Sequence, residues 1–269
     1  MVNTFSFCLY GPSNPRYYPG MLENIFLAGK YFPDWKVYIY HAPDVEQTML
    51  DQLSSCSNVV LRPTGVTGGK NMINRFFAID EPGVDLMMVR DADSRIHWKD
   101  RWAIQKFVAS PFLAHTIRDH KEHSASMMGG LWGLKKAAGI NVRAEYETYV
   151  EDTSLGHRNA HDQNFLADVI HPKVLPTLLI HYSRGPIYMG ETNFVPFPFE
   201  WSDDTYCGRI EYGFVDRREP ESTRRWVLPN THVSIPKLHL ESAPLTSTSE
   251  HHFIPVQPSA PVLNFLNKK

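Results

Sequence analysis

The sequence predicts an α/β fold in which a mostly parallel central sheet is flanked by helices. Within residues 1–90, apolar runs of strand length alternate with segments of helical periodicity. That alternation is typical of parallel strands joined by crossover helices. A pair of acids also follows the fourth apolar run directly, at the edge where open α/β sheets bind their ligands. Beyond residue 215 the pattern is irregular, which predicts a C-terminal extension outside the sheet.

The first half of the chain contains four predicted strands and three predicted helices. Each strand is a short, mainly apolar run, and each helix has its apolar residues on one face. The predicted strands are Phe5–Tyr10, Lys36–Tyr40, Asn58–Arg62 and Val84–Arg90. The predicted helices are Pro19–Tyr31, Val45–Leu53 and Asn71–Ile79. In this order the strands are expected to run parallel, with helices on both faces of the sheet.

The second half gives weaker signals. It predicts a strand over Phe112–Ile117, a glycine-rich turn over Gly129–Gly133, and helices over Trp98–Ser110 and Asp162–Ile170. From about Pro172 the pattern becomes irregular and rich in proline and aromatic residues. We therefore expect one domain over residues 1–215, with halves at 1–95 and 96–215, and an irregular segment over residues 216–269.

Composition excludes several classes of protein. The chain has 269 residues, with 27 Lys and Arg against 29 Asp and Glu, so a strongly basic nucleic-acid binder is excluded. No run approaches the roughly 20 apolar residues of a membrane-spanning helix. Three cysteines, an odd and sparse set, predict free thiols in a reducing compartment. The expected location is the cytoplasm, without nucleic-acid partners or a membrane span.

Asp91 and Asp93 give the strongest functional signal. Two carboxylates separated by one residue at a strand end can converge on one hard divalent cation, Mn²⁺ or Mg²⁺. Such a cation keeps positions open for phosphate oxygens and neutralises the charge on a departing diphosphate. The alternative is a solvated pair of acids in a turn, but the position at the end of a parallel strand favours the functional interpretation.

Several short motifs occur in an order and spacing that resemble a known family. They are Phe32-Pro-Asp-Trp-Lys-Val-Tyr-Ile-Tyr40, Arg90-Asp-Ala-Asp-Ser-Arg95, Arg118-Asp-His-Lys-Glu-His123, Gly129-Gly-Leu-Trp-Gly133, Asp162-Gln-Asn-Phe-Leu166, Phe197-Pro198 and Tyr206-Cys-Gly208. Over roughly residues 4–215 the chain resembles GT-A-fold, nucleotide-sugar-dependent glycosyltransferases. It is most similar to the small soluble enzymes that chlorella viruses encode for capsid glycans.

The resemblance implies a reaction. A metal-dependent enzyme of this family would move a sugar from a UDP-sugar to an oligosaccharide or glycoprotein glycan, with inversion at the anomeric carbon. Residues 1–95 would bind the nucleotide-sugar and residues 96–215 the acceptor. A pentose donor such as UDP-xylose fits the viral resemblance, and the host cytoplasm would then be the location.

The resemblance also implies roles for individual residues. Asp93 would ligate Mn²⁺ or Mg²⁺, and Asp91 would assist the metal or hold the donor ribose. His181 would be a third metal ligand, although a histidine after an apolar run is often structural. Gly129 and Gly130 would let backbone N–H groups approach the donor sugar, unless they only form a turn.

Two further acids are candidates for the general base. Asp162 would take the proton of the acceptor hydroxyl, but aspartate at a helix start is also a common N-cap. Asp119 is the second candidate. Its neighbours His120 and His123 would bind acceptor hydroxyls or cap a loop.

Cations and an aromatic residue are candidates for binding the donor. Lys70, Arg75 and Arg95 could contact the pyrophosphate, and arginine suits bidentate contact with phosphate; each could also be an ordinary surface cation. Tyr10 could stack on uracil, or pack as a core tyrosine. A zinc site at His115, His120 and His123 is disfavoured, because the sequence offers neither a cysteine partner nor a fourth ligand.

Two other functions use the same features. A metal-dependent phosphohydrolase or nuclease would use the Asp91–Asp93 pair, but the sequence lacks a further dense acidic cluster for a second metal. A non-catalytic carbohydrate-binding domain would explain the 12% aromatic content, but it needs no acid pair at a strand end.

Overall fold

One sheet of eight strands organises the described chain. The structure is a computed structural model that describes residues 2–151, 161–199 and 205–212. The strands are β1 (Val2–Leu9), β2 (Lys36–His41), β3 (Val59–Pro63), β4 (Val84–Arg90), β5 (Ala114–Asp119), β6 (Leu131–Lys135), β7 (Leu178–Arg184) and β8 (Phe194–Pro196). Their order across the sheet is β3-β2-β1-β4-β6-β5-β7-β8.

Strand β6 runs against its neighbours, while the other strands all share one direction. β1 pairs in parallel with β2 and β4, β2 with β3, and β7 with both β5 and β8. β6 pairs antiparallel with β4 and with β5. The start of β6 therefore lies at the edge where the parallel strands end. Residues just before β6 consequently meet residues that follow β4.

Helices cover both faces of the sheet, as the sequence predicts. The α-helices are α1 (Tyr18–Tyr31), α2 (Gln47–Ser54), α3 (Trp98–Val108), α4 (Val142–Glu147), α5 (His161–Phe165) and α6 (His171–Val174). Gly68–Asp80 is a long 3₁₀ segment, Lys136–Ala138 and Leu175–Thr177 are short 3₁₀ turns, and Leu166–Ile170 is a π-helical turn between α5 and α6.

The alternation of side chains along the strands divides the core into two layers. Phe5 and Phe7 of β1 pack with residues of α1, α2 and α3 on one face of the sheet. Met87 and Val89 of β4 pack with the 3₁₀ segment, α4, α5 and α6 on the other face. Both layers consist of fully buried side chains, so the predicted α/β fold with a mostly parallel sheet is confirmed.

The predicted helix over Asn71–Ile79 is instead part of the 3₁₀ segment. The segment is fixed to the sheet at two points: the side-chain amide of Asn71 donates to the carbonyl oxygens of Leu9 and Tyr40, and the Ser6 hydroxyl donates to the carbonyl oxygen of Arg75. These bonds hold the segment close to the ends of β1 and β2. They also place the Arg75 side chain at the edge of the sheet.

The glycine-rich segment Gly129–Gly133 is only partly a turn, because its last three residues form the start of β6. Gly133 lies beside Met88 of β4, where an added Cβ would overlap the methionine sulfur and lie 2.9 Å from the Met87 carbonyl oxygen. The absence of a side chain at Gly133 therefore allows β6 and β4 to approach each other closely. A local pattern does not reveal this, because Met88 is 45 residues away in the sequence.

The region after Pro172 is more regular than predicted. β7 lies between β5 and β8, and its residues Leu178, Leu179 and Ile180 are buried. The predicted helix Asp162–Ile170 exists but widens into the π turn before α6. Pro172 has no N–H to complete a helical hydrogen bond, which explains why regular α-helix is interrupted there.

Cys8, Cys56 and Cys207 are buried and form no disulfide. In the described ranges, none of the helices has both the length and the apolar character needed to cross a bilayer. The predicted irregular segment 216–269 lies outside the described residues. A single sheet includes strands from both sides of residue 95, so the two predicted halves share one core.

The close approach at Gly133 predicts a specific loss of stability. Gly133→Ala should lower the free energy of unfolding by about 1–3 kcal/mol, because the added methyl overpacks the contact with Met88. Gly29→Ala in α1 is the control, since its Cβ would meet Asn58 at an ordinary 3.7 Å. The control should gain up to about 1 kcal/mol. Urea unfolding measures both; equal stability of Gly133→Ala and wild type would contradict the packing argument.

Candidate active site

A cavity of about 370 Å³ lies at the edge where the parallel strands end. Asp91 and Asp93 enter it from the turn after β4, and Tyr10 enters it after β1. Gly129 and Gly130 reach it from the residues before β6. Arg16, Tyr17, Arg75, His123, Asp162 and Tyr206 also line the wall. The structure therefore brings the acid pair, the two glycines, Tyr10, Arg75 and Asp162 to one cavity.

Arg75 links two of the acids at the floor of the cavity. Its Nη1 contacts Oδ1 of Asp91, and its Nη2 donates to Oδ2 of Asp162 at 3.2 Å. Burial alone would lower the pKa of Arg75, but the charges of Asp91 and Asp162 more than offset this and raise it above its usual value. Arg75 is therefore a permanent cation. It holds the acid after β4 and the acid of α5 in one arrangement.

Arg16 forms the corresponding contact with Asp93. The Arg16 Nε donates to Oδ2 of Asp93 at 2.6 Å. Burial raises the pKa of Asp93, the charge of Asp91 raises it further, and Arg16 opposes this increase. The sequence analysis did not identify Arg16. Its position in a proline-rich loop directly after the first strand is a signal that could have found it.

The two glycines make room for the protein's own charged groups. A Cβ at Gly130 would overlap the Asp91 carboxylate, and one at Gly129 would lie 3.2 Å from Arg75 Nη2 and 3.3 Å from Asp162 Oδ2. Gly130 thus lets the Asp91 carboxylate lie against the start of β6. The space expected to admit a donor sugar is, at Gly130, occupied by Asp91.

Tyr10 and Tyr17 form an aromatic pair in the wall of this cavity. Their ring centroids are 6.3 Å apart, and both side chains are half-buried. Burial raises the pKa of Tyr10 to about 12, so its hydroxyl stays protonated. The pair therefore offers neutral aromatic surface beside the arginines, with the two ring planes inclined by 38°.

Asp162 also borders a second cavity of about 740 Å³. This cavity shares Met72 and Asp162 with the first, and its other wall residues include Lys70, Ile73, Asn74, Phe77, Arg143 and Tyr146. Asp162 is the second residue of α5, and its Oδ1 accepts from the N–H of Gln163. Its carboxylate thus lies where the two cavities meet.

Four predicted site residues do not line the first cavity: Lys70, Arg95, Asp119 and His181. Lys70 is exposed and lines the second cavity but not the first. Arg95 is buried and pairs through its Nε with Glu23 at 2.6 Å. It therefore stabilises α1 against the turn after β4, where no phosphate can reach it.

His181 is buried in the sheet. Its Nδ1 lies 2.7 Å from Nε2 of His115, and the Trp102 ring packs edge-on against it. Burial lowers the pKa of His181 to about 3, so the ring is neutral. Because β7 places His181 among core side chains rather than at the strand end, it does not join Asp91 and Asp93.

Asp119 is fully buried and holds a segment of the chain. It lies 2.8 Å from Lys99 Nζ, and its carboxylate accepts from the N–H of Cys207 at 3.0 Å. The carbonyl oxygen of Asp93 likewise accepts from the N–H of Glu211 at 2.8 Å. Residues 205–212, which we call the clasp, are thereby fixed across the strand ends. Asp119 is a residue that anchors the clasp and does not line the cavity.

The three histidines considered for zinc do not form one cluster: the His120 and His123 rings are 5.9 Å apart, whereas His115 lies beside His181 in the sheet. His115 pairs with His181, His120 stacks on Tyr206, and His123 lines the first cavity. More generally, no group of three or more His, Cys, Asp or Glu side chains suited to a metal ion occurs in the described parts of the chain. A cation at Asp91 and Asp93 would therefore need water or phosphate oxygens as its remaining ligands.

No protein-family model matches the chain, and no curated protein matches its sequence. Solved structures similar to the chain include glycosyltransferases and other nucleotide-sugar transferases. One is a glycosyltransferase involved in the glycosylation of the major capsid of PBCV-1; it is 15% identical, with a TM-score of 0.46, over 67% of this chain and 81% of that chain.

Two others are a galactosyltransferase and a staphylococcal protein. The galactosyltransferase LgtC, in complex with donor and acceptor sugar analogs, is 10% identical with a TM-score of 0.47, over 67% of this chain and 73% of its own. S. aureus TarS 1–349 is 13% identical with a TM-score of 0.46, over 69% of this chain and 59% of its own.

The cavity wall predicts a dependence of stability on pH. Burial lowers the pKa of His123 to about 4, and Asp119 offsets this only in part. The His123 Nδ1 accepts from the N–H of Asp119, which fixes the neutral ring. Between about pH 6.5 and 4 the unfolded chain binds a proton that the native ring does not. Stability must therefore fall as pH falls through that window, by up to about 1.4 kcal/mol per unit.

His123→Gln should flatten this slope, because glutamine carries no titrating proton. The measurement is the free energy of unfolding in urea at pH 6.5 and 5.0. The control is the interval from pH 8.5 to 8.0, where a histidine of ordinary pKa is already neutral in the unfolded chain, so both proteins should show the same slope there. A slope equally steep in His123→Gln would contradict a neutral buried ring.

Proposed function

We propose that this protein is a metal-dependent glycosyltransferase that moves a sugar from a UDP-sugar to a glycan acceptor with inversion. The observation that supports it is the acid pair Asp91 and Asp93 in one cavity with two arginines, joined at Asp162 to a second cavity. A nucleotide-sugar needs charges for its diphosphate and a surface for its base. The transfer needs an acid next to a space for the acceptor.

The first cavity is the donor site in this proposal. Arg75 and Arg16 contact the diphosphate, since guanidinium groups suit phosphate oxygens. The half-buried pair Tyr10 and Tyr17 stacks on the uracil ring, which has a flat π surface.

Asp91 and Asp93 suit Mn²⁺ or Mg²⁺. Carboxylate oxygens are ligands that these ions prefer, and Mg²⁺ in particular is often held by one or two carboxylates plus substrate phosphates and water. The Asp91 side chain is 40% exposed, so it is accessible from the cavity. When bound, the cation neutralises the charge that develops on the departing diphosphate.

Asp162 is the proposed general base. It removes the proton of the acceptor hydroxyl as the oxygen attacks the anomeric carbon from the side opposite the diphosphate. Its position between the cavities supports this role. Arg75 keeps its carboxylate oriented, and direct attack inverts the configuration of the sugar.

The second cavity is the proposed acceptor site. Phe77 and Tyr146 give it aromatic surface, and Asn74, Lys70 and Arg143 give it hydrogen-bond donors. Aromatic and polar groups together suit a sugar, which has apolar C–H faces and a rim of hydroxyl groups. An oligosaccharide or a glycoprotein glycan is the proposed acceptor, and UDP-xylose is the first donor to test. The three buried thiols fit a reducing compartment such as the cytoplasm.

Binding of UDP with Mn²⁺ tests the donor site. A ligand present at a concentration 100 times its Kd raises the free energy of unfolding by about 2.7 kcal/mol. A thermal-shift experiment detects a change of this size. Asp93→Asn should lose the part of the shift that depends on Mn²⁺, because a neutral amide is a poor metal ligand. Asp85→Asn is the control, since Asp85 lies near the opposite end of β4.

The control should respond as wild type does. A shift by UDP that is independent of Mn²⁺ would remove the metal from the proposal. The absence of any shift by UDP, together with release of phosphate from phosphate esters, would support a phosphohydrolase instead.

Asp162→Asn tests the base. It should bind UDP and Mn²⁺ almost normally but lose sugar transfer by roughly 10²–10⁴-fold, the usual contribution of a general base. The remaining amide oxygen can still accept from Arg75, so an acid that only orients Arg75 would leave transfer near wild type. Asp168→Asn, in the π turn after α5, is the control, because Asp168 accepts from Tyr149 and lies outside both cavities.

The measurement is single-turnover transfer, with the anomeric configuration of the product read by NMR. Donors and acceptors come from a panel scored by UDP release. Full transfer by Asp162→Asn, or a product that retains the configuration of the donor, would contradict a base at Asp162.

A further inference from the structure

The two cavity arginines differ in their freedom to move. The Arg75 side chain is 5% exposed and contacts two acids, whereas the Arg16 side chain is 34% exposed and, among the acids that the structure describes, pairs with Asp93 alone. Arg16 lies on the loop between β1 and α1. Because it is partly in solvent, its guanidinium can leave Asp93 without becoming a buried, unpaired charge.

The loop that carries Arg16 is attached on its far side. The N–H of Gly11 donates to the Asp44 carboxylate, and the N–H of Ser13 donates to Glu46. The Arg16 guanidinium also lies 5.1 Å from the centre of the Tyr17 ring. The backbone is thus fixed near the cavity while the long side chain keeps its rotational freedom. A change of partner therefore needs only a change of rotamer.

The charges around the cavity floor nearly cancel. Asp91, Asp93 and Asp162 face Arg16 and Arg75, which leaves one net negative charge, with the exposed Glu122 on the wall nearby. A divalent cation alone would add two positive charges next to Arg16. The diphosphate of a UDP-sugar alone would add two negative charges next to the acids. The two together leave the total unchanged.

We propose that Arg16 neutralises Asp93 in the ligand-free protein and passes to the donor diphosphate when a divalent cation binds Asp93. This inference rests on the proposed function. Arg16 is then a positioning residue with two partners: it opposes binding of the cation alone and favours binding of the diphosphate. Cation and nucleotide therefore bind together more tightly than either binds alone, because each removes the charge imbalance that the other creates.

The variant Arg16→Gln separates these two effects, and they have opposite signs. Without nucleotide, it should bind Mn²⁺ roughly tenfold more tightly than wild type, because the competing positive charge is gone. With saturating Mn²⁺, it should bind UDP roughly tenfold more weakly, because a charge-assisted contact to phosphate is lost. Free Mn²⁺ is measured by its EPR signal, and UDP binding by calorimetry.

Two further variants serve as controls. Arg62→Gln removes an arginine of similar exposure, 36%, that pairs with Glu81 far from the acid pair; it should change neither affinity. Arg16→Lys keeps the positive charge, so its Mn²⁺ affinity should stay near wild type. Circular dichroism and the melting temperature verify that each variant is folded.

The outcomes distinguish the inference from the proposed function. Mn²⁺ binding by Arg16→Gln that is unchanged, weaker or undetectable overturns the exchange of partners, whatever UDP does. Tighter Mn²⁺ binding by Arg16→Gln combined with no UDP binding by any variant supports the competition at Asp93 but overturns the UDP-sugar donor. Equal UDP affinity of Arg16→Gln and wild type overturns the transfer of Arg16 to the diphosphate.

Discussion

The buried guanidinium of Arg75 is the interaction on which the arrangement of the site depends. It joins three parts of the fold: the 3₁₀ segment that carries it, the turn after β4 through Asp91, and α5 through Asp162. A buried cation without partners is very costly, and loss of one member of a buried ion pair typically costs about 3–5 kcal/mol. The acids thus hold Arg75 inside the protein. Arg75 in turn holds the acids within reach of one another.

Similar buried ion pairs fix the second half of the sheet. Arg90 at the end of β4 forms two hydrogen bonds with Asp100 of α3, and Lys99 of the same helix pairs with Asp119 at the end of β5. Arg118 pairs with Glu191 in the segment before β8. In each case the charge sits at or near a strand end and its partner lies on the element packed against it. The edge that carries the cavity is therefore held by buried ion pairs, in contrast to the Arg16 side chain, which is 34% exposed.

The sequence predicted β1 to β4 well because each is a local apolar run bounded by turn residues. β6 could not be predicted in the same way, since Gly133 interrupts its apolar pattern for a reason that lies on another strand, at Met88. β7 was underestimated, because the proline-rich sequence around it resembles a loop. The local sequence pattern is therefore enough to predict β1 to β4. β6 and β7 depend on contacts with neighbouring strands, which only the tertiary structure shows.

The same limit applies to the site. The rule that ligands bind beyond the ends of parallel strands identified Asp91, Asp93 and Tyr10, because their positions depend only on where strands end. The family resemblance suggested His181 as a metal ligand as well, and Asp119 was the second candidate for the base. Their burial depends on which side of a strand they occupy and on partners such as Lys99, which is 20 residues from Asp119. Sequence spacing does not contain that information.

The clasp has a consequence for how substrate preference can change. At Cys207 and Glu211 the clasp is anchored through backbone N–H groups bonded to oxygens of Asp119 and Asp93, and these bonds do not involve the side chain of Ile210. Tyr206 and Ile210 nevertheless face the cavity. Substitutions at Ile210 can therefore reshape the cavity wall while the chain stays attached, which makes the clasp a natural place to redesign selectivity.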